Sequence, residues 1–419
     1  MFRHCAARTY STGANFLPLH QPILNTPMRK ATPFTFYFLY FAATAALIPF
    51  IVLYYQQLGF TGGQIGLLAG MSPLIVMVGA PLWTGVADST RRHRLVMSLA
   101  LVVAIAGALV FPLASTFGQV VLLIVVYSFF AAPIGPLSDS ATLTMLAGEK
   151  DMYGRVRMGG TIGFGLAALI AGLLVQNYGL RLAFWSYATL MFLALLVSQR
   201  FVYGRAAPGD SVRGHVRDLL TSRRWILFLA MAFACGVGFA AINTYLFPYM
   251  QELGASESTM GLALTIATLS ELPVLFYANR LLGRFGSFGL LVVGMAVTGI
   301  RLLLYAAVSS PAGILVFQIL NGLTFPAVWV AGVAFADENA PTGLSATAQG
   351  LFSAMVFGIG AAAGGLIGGL LLESVGGRVM YFVFGLFVLL SLAILAPAER
   401  RLTKRPQPQH AVDTQRRAR

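Results

Sequence analysis

Charged side chains are scarce in this sequence. Asp, Glu, Lys and Arg make up 10% of its 419 residues, whereas an average soluble domain has roughly 25%. Hydrophobic residues make up 58% of the chain, and its mean hydropathy is +0.78. So few polar groups could not cover the surface of a soluble fold, so the composition excludes the soluble enzymes and binding proteins and predicts an integral membrane protein.

The sequence is also poor in the residues that build disulfides, metal sites and catalytic centres. Its two cysteines, Cys5 and Cys235, lie in a polar tail and in an apolar run, so they indicate no disulfide framework. Its five histidines are scattered in tails and loops, and the metal motifs, nucleotide loops and nucleophile elbows of enzymes are missing. We therefore expect no metal, no cofactor and no enzymatic activity.

Basic residues outnumber acidic ones by 28 to 14, which gives a net charge of +14. They alternate with apolar runs of about 20 residues, the length that a helix needs to cross a bilayer, so they indicate charged loops and not a nucleic-acid partner. The runs lack the period of two that a spanning strand requires. We count twelve spans, over residues 33–55, 64–86, 95–114, 119–138, 158–176, 181–201, 226–250, 259–279, 286–308, 312–335, 346–371 and 376–396.

The loop charges predict the orientation of these spans, because positively charged loops stay in the cytoplasm. Only Arg181 and Arg378 fall opposite to the other basic loop residues, so both termini are expected in the cytoplasm of a multi-pass plasma membrane protein, with a bacterial inner membrane as the simplest location. The basic residues on the cytoplasmic side are Arg91, Arg92, Arg94, Lys150, Arg155, Arg200, Arg205, Arg213, Arg217, Arg223, Arg224, Arg280, Arg284 and those of the tail from Arg400.

An internal repeat divides the spans into two halves. LGFTGGQIG at 58–66 recurs as LGASESTMG 195 residues later, and GLLVQNYGLRLAFW from Gly172 recurs as GLLLESVGGRVMYF 197 residues later. Two parallel six-helix halves that hold a solute near the midplane are typical of rocker-type transporters. The predicted units are an N-terminal half (31–201), a cytoplasmic linker (202–224), a C-terminal half (225–398) and a basic tail (399–419).

Residues 1–30 are polar and contain no acid. They lack the apolar core of a secretory signal and the amphipathic period of a transit peptide. We expect an over-extended start with Met28 as the initiator, because the MRK before the first span is typical of a cytoplasmic N-terminus.

The loop between spans two and three, PLWTGVADSTRRHR at 81–94, combines an acid with a cluster of arginines. It resembles the loop signature of the major facilitators, whose acid and basic residues latch the cytoplasmic ends of the two halves together. By this resemblance Asp88, Arg92 and Arg94 are candidates for a conformational latch. The alternative is an ordinary basic loop, which leaves Asp88 without a role.

Two opposite charges lie near spans four and five. Asp139 follows the sequence AAPIGPL of span four, and Arg157 lies in GRVRMGGTIGF at the start of span five. Because buried opposite charges usually imply each other, we expect them to pair in the cavity; the alternative is a helix-end acid and a cytoplasmic anchor. In span one, Tyr37 and Tyr40 form a polar stripe that either lines the cavity or packs against other helices.

The C-terminal half has ionisable residues inside two apolar runs, Glu271 in span eight and Arg301 in span nine. An ionisable side chain in a membrane span costs about 2.5 to 3.5 kcal/mol and usually marks a substrate or proton path. In span ten, the spacing of Gln318, Asn321 and Thr324 predicts one polar helix face. That face either lines the cavity or makes interhelical hydrogen bonds.

With these residues the chain resembles, over about residues 33–397, the lactose/proton permease branch of the major facilitator superfamily, and within it the phenylpropionate-permease-like and nucleoside-symporter-like transporters. The resemblance implies an all-α integral membrane fold with twelve transmembrane helices in two pseudo-symmetric six-helix bundles. The acid and arginine that grip the sugar in the lactose permease fall on Asp139 and Arg157. Its substrate-linked glutamate falls on Glu271, and its arginine that assists deprotonation falls on Arg301.

The chain departs from the lactose permease in spans five and ten. The span-ten histidine, proton-carrying glutamate and lysine of that permease fall on Asn321, Thr324 and Gln318, which do not titrate usefully. Its stacking tryptophan of span five falls on Phe164, which keeps an aromatic face. The lactose mechanism therefore does not transfer as a whole.

We expect Glu271 to take over proton coupling. Burial favours the neutral form of a carboxyl group and a nearby cation such as Arg301 favours the ionised form, so a change in their separation or hydration would move a proton between the two open states. The alternative is a permanent Glu271/Arg301 pair in a facilitator that carries no proton.

The expected function is secondary active transport of a small organic solute by a monomer that works by alternating access. The negative charges of two acids in the cavity nearly balance the positive charges of two arginines. This balance suits proton symport of a neutral sugar, nucleoside or similar solute. Aromatic-acid uptake and drug efflux are alternatives. A non-transporting receptor or interaction protein is an alternative of another class, but it would predict a large extra domain, whereas the external loops here are short.

Overall fold

The computed structural model describes residues 26–147, 149, 152–204, 222–341 and 344–403. Within these ranges all regular elements are helical and none is a strand, which confirms the all-helical fold. Ten helices, α1 to α10, are each long and apolar enough to cross a membrane once. They are Lys30–Gln57, Gly62–Thr90, His93–Leu113, Phe117–Met145, Met152–Tyr178, Arg181–Ser198, Arg223–Glu252, Glu257–Phe276, Ala278–Ala307 and Pro311–Asn339.

The last apolar segment, Ser345–Glu399, has 55 residues and is too long for a single crossing. It turns at Gly376, whose φ of 78° lies in the left-handed region, a conformation that costs other residues about 1 to 2 kcal/mol. Residues 345–375 therefore form α11 and residues 377–399 form α12, which confirms the twelve spans. Gly286, with a φ of 68°, breaks α9 in the same way, so the spanning part of α9 starts there.

Most helices extend a few residues beyond the apolar runs that predict them, and in two of them the extension contains a candidate site residue. The run in span four predicts an end at residue 138, whereas α4 continues to Met145, so Asp139 lies inside the helix. The run in span five predicts a start at residue 158, whereas α5 starts at Met152, so Arg157 lies in its second turn. These two boundary predictions were wrong because hydropathy detects only the lipid-facing length of a helix, while its backbone hydrogen bonds continue into polar sequence.

The twelve helices form two six-helix bundles, α1–α6 and α7–α12, that repeat each other's packing. A Cβ atom on Gly163 of α5 would lie 2.2 Å from the carbonyl oxygen of Phe38 in α1. Gly360 of α11 lies 197 residues after Gly163, and Phe233 of α7 lies 195 residues after Phe38, so these two residues are the counterparts in the C-terminal half. They make the same contact, since a Cβ atom on Gly360 would lie 2.9 Å from the carbonyl oxygen of Phe233. The halves are therefore pseudo-symmetric in structure as well as in sequence.

The predicted units at the ends of the halves fall largely outside the described residues. Of the extension 1–30, only the part from Thr26 is described, and it already belongs to the first helix. Of the linker 202–224, residues 205–221 lie outside the described ranges, and of the tail, residues 404–419 do. The limits of these units stay predictions.

The two bundles meet at one side of the membrane. We call this the far side, and we call the side where α1 begins and α12 ends the near side. A Cβ atom on Gly66 of α2 would lie 3.3 Å from the Cα atom of Gly369 in α11, and one on Gly261 of α8 would lie 3.2 Å from the Cα atom of Gly172 in α5. These four glycines belong to the sequence repeats, so the repeats form the contact that closes the far side.

Candidate transport site

Arg301, in the middle of α9, is the most buried charged residue among those described, with 1% of its surface exposed. Its Nε donates a hydrogen bond to Tyr305 Oη at 2.8 Å. Its Nη1 donates to Asn321 Oδ1 at 2.6 Å and to Thr324 Oγ1 at 3.1 Å, and its Nη2 donates to Gln318 Oε1. The guanidinium is thus held by neutral oxygens, and it stays charged because an arginine does not lose its proton in a protein.

The acceptors in α10 line up because their stretch is a 3₁₀ helix. Gln318–Leu323 winds with about three residues per turn, so the side chains at positions 318, 321 and 324 lie above one another. Regular α-helix resumes at Phe325, next to Pro326. The predicted polar face is present, and it makes interhelical hydrogen bonds with α9.

Asn321 connects Arg301 to Glu271. Its Nδ2 donates to Glu271 Oε1 at 2.7 Å and to the carbonyl oxygen of Ala267 at 3.3 Å, while its Oδ1 accepts from Arg301. Within the described ranges no ion pair joins Glu271 directly to Arg301, so a neutral amide takes the place of the direct pair in this conformation. Glu271 is therefore bound to a group that holds no charge.

A second charged cluster lies in the N-terminal bundle. Arg157 Nη1 donates to Asp139 at 3.1 Å from Oδ1 and 3.2 Å from Oδ2, so the expected pair is present. Tyr37 Oη donates to Asp139 Oδ1 at 2.5 Å, and Arg157 also donates to Tyr153 Oη at 2.7 Å. The Asp139 and Arg157 side chains are 36% and 46% exposed, so the pair is only partly covered by the protein.

The sequence analysis missed the two tyrosines that bind the arginines. Tyr153 precedes Arg157 by four residues, and Tyr305 follows Arg301 by four. Side chains at this spacing meet on a helix surface, so the spacing was the signal that could have found them. The predicted tyrosine stripe of α1 is split, because Tyr37 contacts Asp139 while Tyr40 stacks on the ring of Phe36 with centroids 6.0 Å apart.

Phe164 lies where the two halves touch. It is half-buried on α5 beside Gly165, on which a Cβ atom would lie 3.3 Å from Cγ2 of Thr268 in α8. Glu271 lies about one helical turn after Thr268 in α8, toward the near side of the membrane. The contact between α5 and α8 therefore places Phe164 and Glu271 at similar depths in the membrane.

Comparison with known proteins gives the family of the chain. The sequence profile of the MFS_1 like family matches residues 34–384. The maltose permease of Geobacillus stearothermophilus is 33% identical over 373 residues, which cover 87% of this chain and 95% of that protein. The chain belongs to the MFS_1 like family. It is therefore a multi-pass membrane transporter and not an enzyme.

Other proteins resemble this MFS transporter at lower identity. The multidrug resistance protein MdtG of Salmonella dublin is 27% identical over 311 residues, which cover 70% of this chain and 76% of that protein. The crystal structure of the nucleoside transporter NupG matches with a TM-score of 0.78 and 18% identity over 90% of this chain and 99% of that one. At this identity the structural likeness shows the fold alone.

In the α2–α3 loop of this MFS transporter, Asp88 binds a residue other than the expected arginines. His93 Nε2 lies 2.7 Å from Asp88 Oδ1, and Arg94 Nη2 donates to the carbonyl oxygen of Phe201 at 3.2 Å. Both contacts stay within the N-terminal half. A latch formed by Asp88, Arg92 and Arg94 across the halves stays a prediction for the state in which the near side is closed.

The MFS transporter also has an aromatic surface that the sequence analysis missed, made of Phe325 and Trp329 in α10 and Phe357 in α11. Their ring centroids lie 6.0 Å apart for Phe325 and Phe357 and 5.4 Å apart for Trp329 and Phe357. Phe357 is 43% exposed, and the other two are half-buried. Phe325 and Trp329 lie four and eight residues after Asn321, toward the near side of α10, and Phe325 also contacts Phe239 of α7 with ring centroids 5.7 Å apart.

Proposed function

We propose that this chain is a proton-coupled symporter that takes up a neutral sugar, with nucleosides as the next solutes to test. The observation that carries the proposal is the hydrogen bond between Glu271 and the neutral side chain of Asn321. A carboxylate locked to a cation would stay ionised through the cycle, whereas one bound to an amide can gain and lose a proton when that contact changes.

The state of the two arginines supports a neutral solute. Arg157 is paired with Asp139, and Arg301 donates to four neutral side-chain oxygens. Neither guanidinium is placed to bind the carboxylate of an aromatic acid, because Arg157 already has a carboxylate partner and Arg301 is 1% exposed with its donors bound within the protein. The aromatic surface can pack against the apolar face of a sugar or nucleoside ring. The name of the maltose permease relative supports sugars as the first class to test.

The loop charges support the proposed orientation. The basic residues of the α2–α3 loop lie on the near side, and an excess of arginine in short loops marks the cytoplasmic face. With the near side cytoplasmic, the glycine contacts close this structure to the outside. The proposed setting is a bacterial inner membrane with both termini in the cytoplasm.

In the proposed cycle, Glu271 carries the proton and Asn321 controls its release. In this state, which is closed to the outside, the Asn321 amide donates to Glu271 and accepts from Arg301. Donation of a hydrogen bond to a carboxylate assists loss of its proton, so the proposed cycle places release to the cytoplasm here. When the transporter opens outward, loss of the amide contact lets the carboxyl group take up a proton together with the solute. The solute and the proton then cross together.

Proton movement in reconstituted vesicles tests this function. The purified protein would be placed in vesicles with a pH dye outside, and maltose, other sugars, nucleosides and aromatic acids would be added one at a time. Alkalinisation outside after addition of a sugar supports sugar symport. Solute uptake without proton movement contradicts the coupling, and proton movement with aromatic acids alone contradicts the substrate class.

Drug efflux is a second candidate because MdtG, a multidrug resistance protein, matches 70% of this chain. An efflux pump would confer resistance to several unrelated apolar compounds on expression in a sensitive strain, and it would not accumulate one solute. Resistance that persists when the sugar panel gives no uptake would favour efflux over the proposed symport.

The aromatic surface should set affinity for the solute. Replacing Trp329 by Ala removes the largest ring of this surface, and loss of an aromatic contact worth about 0.5 to 1.5 kcal/mol should raise the KM for uptake by roughly twofold to tenfold. Replacing Trp329 by Phe keeps a ring and should restore most of the affinity. Initial uptake rates at varied sugar concentration measure both, and an unchanged KM for Trp329→Ala would exclude the surface from binding.

The pair in the N-terminal bundle should act on solute binding. Asp139→Asn keeps the shape of the side chain but removes its charge, so Arg157 and Tyr37 lose an anionic partner. We expect the KM to rise by about tenfold, because a charged hydrogen bond in the site is lost, while the protein still folds since both charges are partly exposed. Glu149→Gln, which alters the exposed pair with Lys30 at 2.7 Å, is the control and should not change the KM.

A further inference from the structure

The far-side ends of α2 and α8 carry equivalent caps supplied by the opposite half. At the start of α2, Gly63 N donates to Glu373 Oε2 of α11 at 2.9 Å. At the start of α8, Ser258 N donates to Gln176 Oε1 of α5 at 3.3 Å. Gly63 and Ser258 are separated by the 195-residue repeat offset, and Gln176 and Glu373 by the 197-residue offset. The same contact is therefore made twice, once in each copy of the repeat.

Each cap is a hydrogen bond that joins the two halves next to a glycine contact that closes the far side. The first N–H groups of a helix have no partner within it, and Thr61 and Ser256 each satisfy one of these groups from within their own helix. The side chains of Glu373 and Gln176 each accept from one more of these N–H groups, and each comes from the half opposite to the helix that it caps. Opening of the far side separates α2 from α11 and α8 from α5, so both contacts must break.

The two caps differ in charge. Glu373 brings a carboxylate to the positive end of the α2 dipole, whereas Gln176 brings a neutral amide to α8. An anion at a helix N-terminus gains about 0.3 to 1 kcal/mol from the dipole, which an amide or a protonated carboxyl group does not. The carboxylate of Glu373 therefore contacts the helix dipole only while the far side is closed.

Other charged groups near Glu373 are bonded elsewhere. Glu252, at the end of α7, accepts a backbone hydrogen bond at 3.1 Å, and Arg378, at the start of α12, donates one at 3.1 Å. Glu373 is the charged residue of α11, and Lys30 in α1 and Asp88 in α2 lie near the opposite ends of their helices. The charge of Glu373 is thus the one that faces the α2 terminus.

We propose that Glu373 and Gln176 are matched gating contacts that hold the far side closed, and that proton binding to Glu373 loosens one of them. A protonated carboxyl group loses the attraction to the helix end that holds the closed state together, so acidification favours the open state. This proton acts at the far surface and is separate from the coupling proton of Glu271, so the inference goes beyond the proposed symport and holds for either direction of transport.

Spin labels on the far side test this gate. Leu113, 78% exposed at the end of α3, and Ser309, exposed after α9, would be replaced by Cys in a chain with Cys5→Ser and Cys235→Ala. Pulsed electron resonance in nanodiscs measures the populations of the closed and open distances from about pH 7 to about pH 3, a range that spans the titration of a glutamate. The chain would also carry Glu271→Gln, so that the coupling group does not titrate.

We expect the ratio of open to closed molecules to rise about two- to fivefold on acidification. Glu373→Gln, which copies the natural cap at position 176, should abolish this pH dependence, and Gln176→Glu should increase it. An unchanged pH profile in Glu373→Gln overturns the proposal, as does a Gln176→Glu variant without added pH dependence. Because no solute is used, these outcomes are independent of the proposed substrate and of proton symport.

Discussion

Glu271→Gln should abolish accumulation of the solute against its gradient while exchange of the solute across the membrane persists. Glutamine has nearly the same shape, and its amide oxygen can still accept the hydrogen bond that Asn321 donates at 2.7 Å. It cannot carry a proton, so the proton gradient loses its link to the solute. A gradient of about one pH unit supports about tenfold accumulation through one coupled proton, and in the variant the two concentrations should become equal.

Two measurements on the same vesicles separate coupling from binding. Uptake driven by an imposed pH gradient reports coupling, and exchange of labelled for unlabelled solute at equal pH reports binding and conformational change. Glu257→Gln, in the first turn of the same helix, is the matched control and should keep both activities. If Glu271→Gln still accumulates solute, Glu271 is not the proton carrier.

Arg301→Met should also abolish accumulation of the solute, because it removes the cation that Asn321 connects to Glu271. Methionine fills much of the space but leaves Glu271 without a cation in its cluster, which favours the neutral carboxyl group. The proton would then stay bound, so net uptake should stop while exchange continues. Its removal leaves the buried oxygens of Gln318, Asn321 and Tyr305 without a shared donor, so a lower thermal unfolding temperature is expected, and uptake is compared below the unfolding transition of the variant.

Two further variants test this prediction, one that keeps a cation at position 301 and one that combines the changes at positions 271 and 301. Arg301→Lys keeps a cation but not the planar group that reaches Gln318, Asn321 and Thr324 together, so it should retain part of the uptake. Glu271→Gln combined with Arg301→Met should be no worse than either change alone, because both act on one proton transfer. Retained accumulation in Arg301→Met, or added losses in the double variant, would contradict the bridge.

Much of the candidate site was visible in the sequence because charge is rare inside a membrane span. Glu271 and Arg301 interrupt apolar runs, and that alone marks them, since lipid penalises an ionisable group wherever the helix lies. The polar face of Gln318, Asn321 and Thr324 was visible as a period of three. That period also matches the 3₁₀ helix found there, which the sequence analysis did not predict.

Contacts between helices were harder to predict. Asp139 and Arg157 were expected to pair and do so, but nothing in the spacing along the chain indicated that Tyr37 would bind Asp139 from another helix. A permanent pair of Glu271 and Arg301 was the alternative to proton coupling, because opposite charges attract. Which side chain stands between them depends on the rotation of α10 against α8 and α9, and periodicity within one helix carries no information about that rotation.

The sequence by itself determined the membrane setting, the twelve spans and the division into two halves. The bilayer has a fixed thickness and excludes unpaired polar groups, so span length and hydropathy can be read from local composition. The tertiary structure alone decided that Asn321 separates Glu271 from Arg301 and that Glu373 and Gln176 cap helices of the opposite half. These contacts depend on distances between helices, which are set by how closely the glycine faces pack and not by the order of residues along any one helix.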